Sequence, residues 1–180
     1  MSRIGKLPIA IPAGVTVEVN GNVVTVKGAK ATLSQEVSNN IEVQIQDNTV
    51  LVVRKDETTD SNAKQGLYRQ LINNMVVGVK DGFTKSLTVK GVGYKLSKQG
   101  NKLVMNLGMS HPVEIVEENG ITLECPDNNT ILVKGADKQL VGAVAAKIRA
   151  TRPMEPYHGY GIHYASEKVI LKPGKSGKKK

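Results

Sequence analysis

The chain has 180 residues, enough for one large domain or two small ones, and 39% of them are hydrophobic, as in an ordinary soluble protein. With no Trp and one Phe, its core must come from Val, Ile and Leu, whose branching favours sheet. Twenty-five Lys and Arg against 16 Asp and Glu leave a net charge of +9, which attracts polyanions; the single Cys125 excludes an intramolecular disulfide and suits a reducing compartment.

The apolar start is short and interrupted by Pro8 and Pro12, so it reads as a cytosolic N-terminus and not as a signal peptide; no run has the length of a membrane span. Period-two alternation then predicts strands at 15–19, 22–27, 32–37, 41–46 and 49–54, with turns at Asn20-Gly21 and Asp47-Asn48. Ala63, Leu67, Leu71, Met75 and Val79 recur every four residues, joined by Ile72 and Val76. They mark one apolar helix face, with Asp60 as the expected N-cap. The programme then restarts. Strands are expected at 84–90, 93–97, 103–107, 113–116, 121–125 and 130–134, and a helix from Asp137 to Ala150 with Leu140, Val141, Val144 and Ile148 on one face.

Collinear matches link the two tracts. Gly21-Asn22 corresponds to Gly100-Asn101, Gly28 to Gly108, Ile41 to Ile121, and Asn48-Thr49 to Asn129-Thr130, at offsets of 79 to 81 positions. That period is too long for a solenoid repeat and points to a duplicated domain. The expected architecture is α+β: two copies, each a small, mostly antiparallel sheet packed on one helix. Residues 1–82 form the first domain, 83–171 the second, and 172–180 a basic flexible tail.

Charge is unevenly spread. Residues 31–79 carry a net −2 and 103–143 a net −4, whereas 80–102 carry +5 and 144–180 carry +7. A charge run is often no more than a solvated face, but other features coincide with the last one. Pro153 and Pro156 stiffen the backbone there, Gly159 and Gly161 permit close approach, and Tyr157, Tyr160 and Tyr164 alternate with His158 and His163 near Arg149, Arg152 and Lys168. Rings offer stacking surfaces to unstacked bases and cations neutralise phosphates, which makes this stretch the leading RNA-binding candidate. The plainer alternative is that these Tyr pack a turn back onto the second sheet, as expected for one of the three. Lys172 and Lys175 continue the site into the tail, which should order only against a polyanion. A second basic segment, Lys90-Gly91-Val92-Gly93-Tyr94-Lys95 with Lys98 nearby, presents a glycine-bracketed turn from which Tyr94 and Lys95 are expected to face outward.

Other chemistries lack support. Leu96 and Val169 stand where dinucleotide and phosphate-loop motifs need Gly. His111, His158 and His163 have no metal-ligand spacing, so no metal, cofactor or catalytic residue is assigned. Cys125 reads as a core thiol, and His111 as a loop residue bonding backbone, with an RNA contact as the alternative.

Ordered blocks carry a resemblance: Met1-Ser2-Arg3-Ile4-Gly5-Lys6, Leu71-Ile72-Asn73-Asn74-Met75, Gly91-Val92-Gly93-Tyr94, Ser110-His111-Pro112-Val113, Ile148-Arg149 with Arg152-Pro153, and Glu155-Pro156-Tyr157 with Gly159, Gly161 and Ile162. Over essentially its whole length the chain resembles the bacterial form of the sixth large-subunit ribosomal protein family. The resemblance implies a non-enzymatic, cytoplasmic, ribosome-bound protein without membrane or small-molecule partners. It implies binding to large-subunit rRNA, chiefly through the second domain, near the sarcin–ricin loop and stalk base, beside neighbouring ribosomal proteins and translation factors. The chain departs from the family where His158, Tyr160 and His163 replace two Lys and one Arg. A free-standing RNA chaperone with the same basic surface, and an enzyme or binder with an interdomain cleft, are the rival readings; the second lacks any convergent polar pocket in the sequence.

Overall fold

In the computed structural model, residues 3–118 and 120–175 are described; Met1, Ser2 and residues 176–180, the end of the expected tail, lie outside them. The chain divides into two compact units, one running to Phe83 and including Ala136–Lys138, the other comprising Thr84–Gly135 and the residues from Gln139 onward.

The first unit contains β1 (Ile9–Ala10), β2 (Thr16–Asn20), β3 (Val23–Lys27), β4 (Thr32–Glu36), β5 (Ile41–Gln46), β6 (Thr49–Arg54) and α1 (Thr59–Lys80). Its strands form two sheets, ordered β2-β3-β4 and β1-β6-β5. Between them Val17, Val24, Val26, Ile41, Val50 and Val52 pack with Ile72, Val76 and Val79 of the helix. The helix begins one residue after Thr58, whose hydroxyl accepts from the Ser61 amide at 3.2 Å. Thr58, not Asp60, is therefore the N-cap; Asp60 instead pairs with Lys64 one turn on, at 2.6 Å.

The buried face of α1 also differs from the four-residue repeat in its first turns. Ala63 and Leu67 are exposed while Ser61 and Gln65 are buried. Polar groups can occupy that face because they have partners: Gln65 Nε2 donates to the Val52 carbonyl at 2.9 Å.

The second unit repeats the plan with β7 (Phe83–Lys90), β8 (Lys95–Gln99), β9 (Lys102–Asn106), β10 (Val113–Val116), β11 (Ile121–Asp127), β12 (Thr130–Gly135) and α2 (Lys138–Thr151). Its sheets are ordered β10-β9-β8 and β11-β12-β7-β13, the last strand (β13, Gly161–Tyr164) having no counterpart in the first unit. Val141, Val144, Ala145 and Ile148 of α2 are buried with Leu87, Leu103, Leu123 and Val133, whereas Leu140 turns to solvent.

The duplication extends to single backbone hydrogen bonds. The Asn22 carbonyl accepts from Val37 and the Asn101 carbonyl from Glu117, at 2.7 and 2.8 Å. Asn48 and Asn129, just before β6 and β12, accept from Ile11 and Val89, both at 2.8 Å. Gly21 and Gly100 open the matching hairpin turns at φ of 60° and 59°, a conformation that glycine adopts without a Cβ penalty. The architecture is thus duplicated α+β, with two small sheets per copy where the sequence suggested one. None of its described helices is long and apolar enough to cross a membrane.

Leu103 is fully buried on the central strand of its sheet. Leu103→Ala should cost about 2–5 kcal/mol, read as accelerated amide hydrogen exchange through β8, β9 and β10 with protection of β3 retained.

Candidate nucleic-acid interface

The extension after α2 folds back instead of trailing away. β13 lies antiparallel to β7, pairing Gly161 with Lys90, Ile162 with Val89, His163 with Thr88 and Tyr164 with Leu87. Alternation buries Ile162 in the core and leaves His163 on the opposite face. Sequence reasoning missed this strand, because its four residues contain one aliphatic side chain and two aromatic rings that read equally well as a loop. The Ile162 amide donates to the Arg152 carbonyl at 2.9 Å and the Glu155 amide to the Tyr160 carbonyl at 2.9 Å, closing the intervening loop. Gly161 allows that crossing: a Cβ there would stand 2.6 Å from Met154 Cα and 2.7 Å from the Pro153 oxygen. Its closeness serves the chain's own backbone.

An ion pair fastens the extension to the helix. Arg149 donates through Nε and Nη2 to both Glu167 oxygens, at 3.1 and 2.7 Å, and its guanidinium lies 5.6 Å from the Tyr164 ring centroid. The ammonium of Lys85 is 5.9 Å from the same ring. The Arg149 hydrogen bonds, and then the Tyr164 amide, hold the Glu167 carboxyl below the ordinary carboxylate range. Tyr164 is therefore the tyrosine that packs back, and Arg149 has its charge compensated. Lys98 is likewise paired, 2.8 Å from Glu117.

Tyr94 does not face outward. Its ring folds over Gly91, where an added Cβ would fall 2.4 Å from it, and its other side approaches Gly108, at 3.3 Å by the same measure. Arg152 Nε donates to the Tyr94 hydroxyl at 3.2 Å. Gly91 thus makes room for an aromatic ring, Gly93 turns the chain at φ 75°, and Tyr94 orients a guanidinium that is itself exposed.

The exposed rings of the extension are Tyr157, His158 and Tyr160. His158 and Tyr160 stack with centroids 5.5 Å apart and planes 17° from parallel. Glu155 Oε1 steadies the loop, accepting from the His158 amide at 3.2 Å and lying 2.9 Å from its Nδ1. Lys90, Lys95, Lys168, Lys172 and Lys175 are exposed, and among the described residues none of them has an acidic partner. Pro153 is exposed and Gly159 buried.

Three apolar residues near these cations were not singled out in the sequence: Met154, Val169 and Leu171, which line a pocket with Lys90, Gly159 and His163. The signal available was an apolar triplet, Val169-Ile170-Leu171, inside an otherwise basic run. Elsewhere, Cys125 is half-buried on β11 with its thiol pushed up by burial, and exposed His111 has Nδ1 3.4 Å from the Ser110 hydroxyl, not from backbone. Among the described residues no three His, Cys, Asp or Glu side chains gather as a metal-ligand set.

The whole-chain charge follows the same division. Residues 1–83 carry nine Lys and Arg against eight Asp and Glu, a net +1, and residues 84–180 carry sixteen against eight, a net +8.

Comparison with known proteins supplies the context. The model of the family described as ribosomal protein L6 matches residues 11–82 and again 90–165. A "Large ribosomal subunit protein uL6" of Clostridium kluyveri is 55% identical over 180 residues, covering 99% of this chain and all of that protein. The protein of that name from Desulfitobacterium hafniense is 53% identical over all of this chain and 98% of its own length. That of Halalkalibacterium halodurans is 54% identical over 99% of this chain and its own full length.

Because the folded value of Glu167 is depressed, its pairing stabilises above the ordinary carboxylate range and is lost as pH falls through the folded value. Acid titration should therefore accelerate amide exchange in Gly161–Tyr164 below the usual Glu range, and Glu167→Gln should remove that pH step. For Tyr94, the phenylalanine variant should leave the fold intact while loosening Arg152, seen as increased mobility of its Nε–H by NMR relaxation.

Proposed function

The chain belongs to the ribosomal protein L6 family, a structural and non-enzymatic family, and from that premise we propose that it is a component of the large ribosomal subunit that holds rRNA mainly through residues 83–171. The reading places it on cytoplasmic ribosomes, beside the sarcin–ricin loop, the stalk base and the region where translation factors dock. Residues 172–180 act as a basic tail against the same polyanion, and residues 1–82 as a brace facing protein or RNA.

One observation carries it. The second copy and its tail hold a net +8 against +1 for the first, and six exposed cations there, Lys90, Lys95, Arg152, Lys168, Lys172 and Lys175, have no acidic partner among the described residues and lie in segments flanking a loop that exposes Tyr157, His158 and Tyr160. Phosphates need free cations, and unstacked bases need exposed rings. Arg149, Lys98 and Tyr164, engaged within the protein, act as supports; Gly91 and Gly161 serve by admitting Tyr94 and the neighbouring backbone.

Affinity for a large-subunit rRNA fragment should fall steeply with salt, and each phosphate contact removed should flatten the log–log slope by roughly 0.7–0.9. Replacing Arg152, Tyr157, Tyr160 and Lys168 together by Ala should weaken binding by at least about a hundredfold, two lost stacks alone accounting for roughly that much. Unchanged affinity would overturn the site. The chain should also sediment with large subunits in high salt, where a free-standing chaperone would wash off.

A further inference from the structure

The pocket beside the β7–β13 pair has a volume of about 140 Å³ and is lined by Lys90, Met154, Gly159, His163, Val169 and Leu171. The register builds its floor. Lys90 is opposite Gly161 and His163 opposite Thr88, so Lys90 and His163 stand diagonally on the face turned away from buried Leu87, Val89 and Ile162. Gly161, opposite Lys90, has no side chain, and the Met154 backbone occupies that space, which brings Met154 into the lining. The Lys172 amide donates to the Pro156 carbonyl at 2.7 Å, which pins the segment bearing Val169 and Leu171 against the 154–159 loop. Gly159 keeps one wall thin: an added Cβ would meet Leu171 Cδ2 at 3.2 Å and Lys90 Nζ at 3.9 Å.

The lining selects a ligand class. Sites for drug-sized molecules run to about 300–1,000 Å³, so this one admits a single planar group. Met154, Val169 and Leu171 are poor company for a bare phosphate, which would shed its hydration against them with one ammonium in return. They suit a ring, and a thioether makes favourable contacts with aromatic systems. Two polar groups serve an edge. Lys90 supplies a donor. His163 has Nδ1 buried, with no hydrogen-bond partner among the described residues. Such an atom favours any ligand that completes it, and the broad two-fold χ2 of histidine lets the ring turn to meet one. Lys168 and Lys172, both exposed, adjoin the lining residues Val169 and Leu171 in sequence, as a polyanion's backbone would require.

We propose that this pocket takes one unstacked nucleobase of the bound RNA, its faces against Met154, Val169 and Leu171 and its edge hydrogen-bonded by Lys90 and His163. The proposal rests on the rRNA-binding reading above and adds a base-specific site to it.

The test uses the full chain and a large-subunit rRNA transcript, probed in parallel by hydroxyl radicals for the backbone and by dimethyl sulfate and carbodiimide for base edges. The wild-type chain should protect one nucleotide's base edge within its backbone footprint. His163→Phe, which keeps a ring but removes the edge hydrogen bond, should abolish that base protection and weaken binding roughly two- to tenfold, the range for one lost hydrogen bond. Lys90→Gln, at an exposed position that folding does not depend on, should do the same to a smaller degree. A backbone footprint with no His163-dependent or Lys90-dependent base protection overturns the pocket and leaves the rRNA reading standing. Absence of any footprint overturns both.

Discussion

The antiparallel pairing of β13 with β7 is the constraint on which the site depends. Four residues at the end of an otherwise irregular extension add an edge strand, and from that register follow the positions of Lys90, His163 and the loop between them. Backbone bonds alone would leave the turn after β13 free to fray. The bidentate Arg149–Glu167 pair closes it, tying the chain just past β13 to the last turns of α2. Exposed ion pairs contribute little to overall stability; the role of this one is to fix a geometry.

The two copies show what such a strand changes. In the first, β1 lies beside β6 as β7 lies beside β12 in the second, but β1 is left at the edge of its sheet. It is two residues long and bracketed by Pro8 and Pro12, which have no amide hydrogen to offer. Short length and proline are how natural sheets blunt an edge against further pairing. In the second copy the corresponding edge is long, eight residues, and is covered by the chain's own extension. One scaffold thus has a blunted edge, and the other carries the candidate site where its edge was completed.

Much of this was legible in the sequence. Strong alternation located every long strand within about two residues, and the matched Gly-Asn and Asn-Thr pairs exposed the duplication because turns constrain identity more tightly than strands do. Three things were not legible. The buried face of α1 depends on Thr58 at Ser61 and on the Val52 carbonyl of β6 at Gln65, which a helical repeat cannot reveal. Tyr94 and Gly91 read as a presented ring and a close-approach glycine; the ring instead folds onto that glycine, and its hydroxyl meets Arg152, 58 positions away in sequence. Arg149 and Lys98 read as cations for phosphate, and the sequence does not show that each pairs with a carboxylate 18 and 19 positions away. Composition shows how many charges a chain carries; only the fold shows which are already spent.

The central claim is that one copy of a duplicated scaffold, with its folded-back extension, faces RNA. Tethered cleavage tests it most directly. With Cys125 changed to Ser, single cysteines at Lys55 or Lys168 would carry an iron chelate into assembled large subunits. Cleavage of rRNA should be strong and local from position 168 and weak from position 55. Strong cleavage from position 55 with none from 168 would contradict the account.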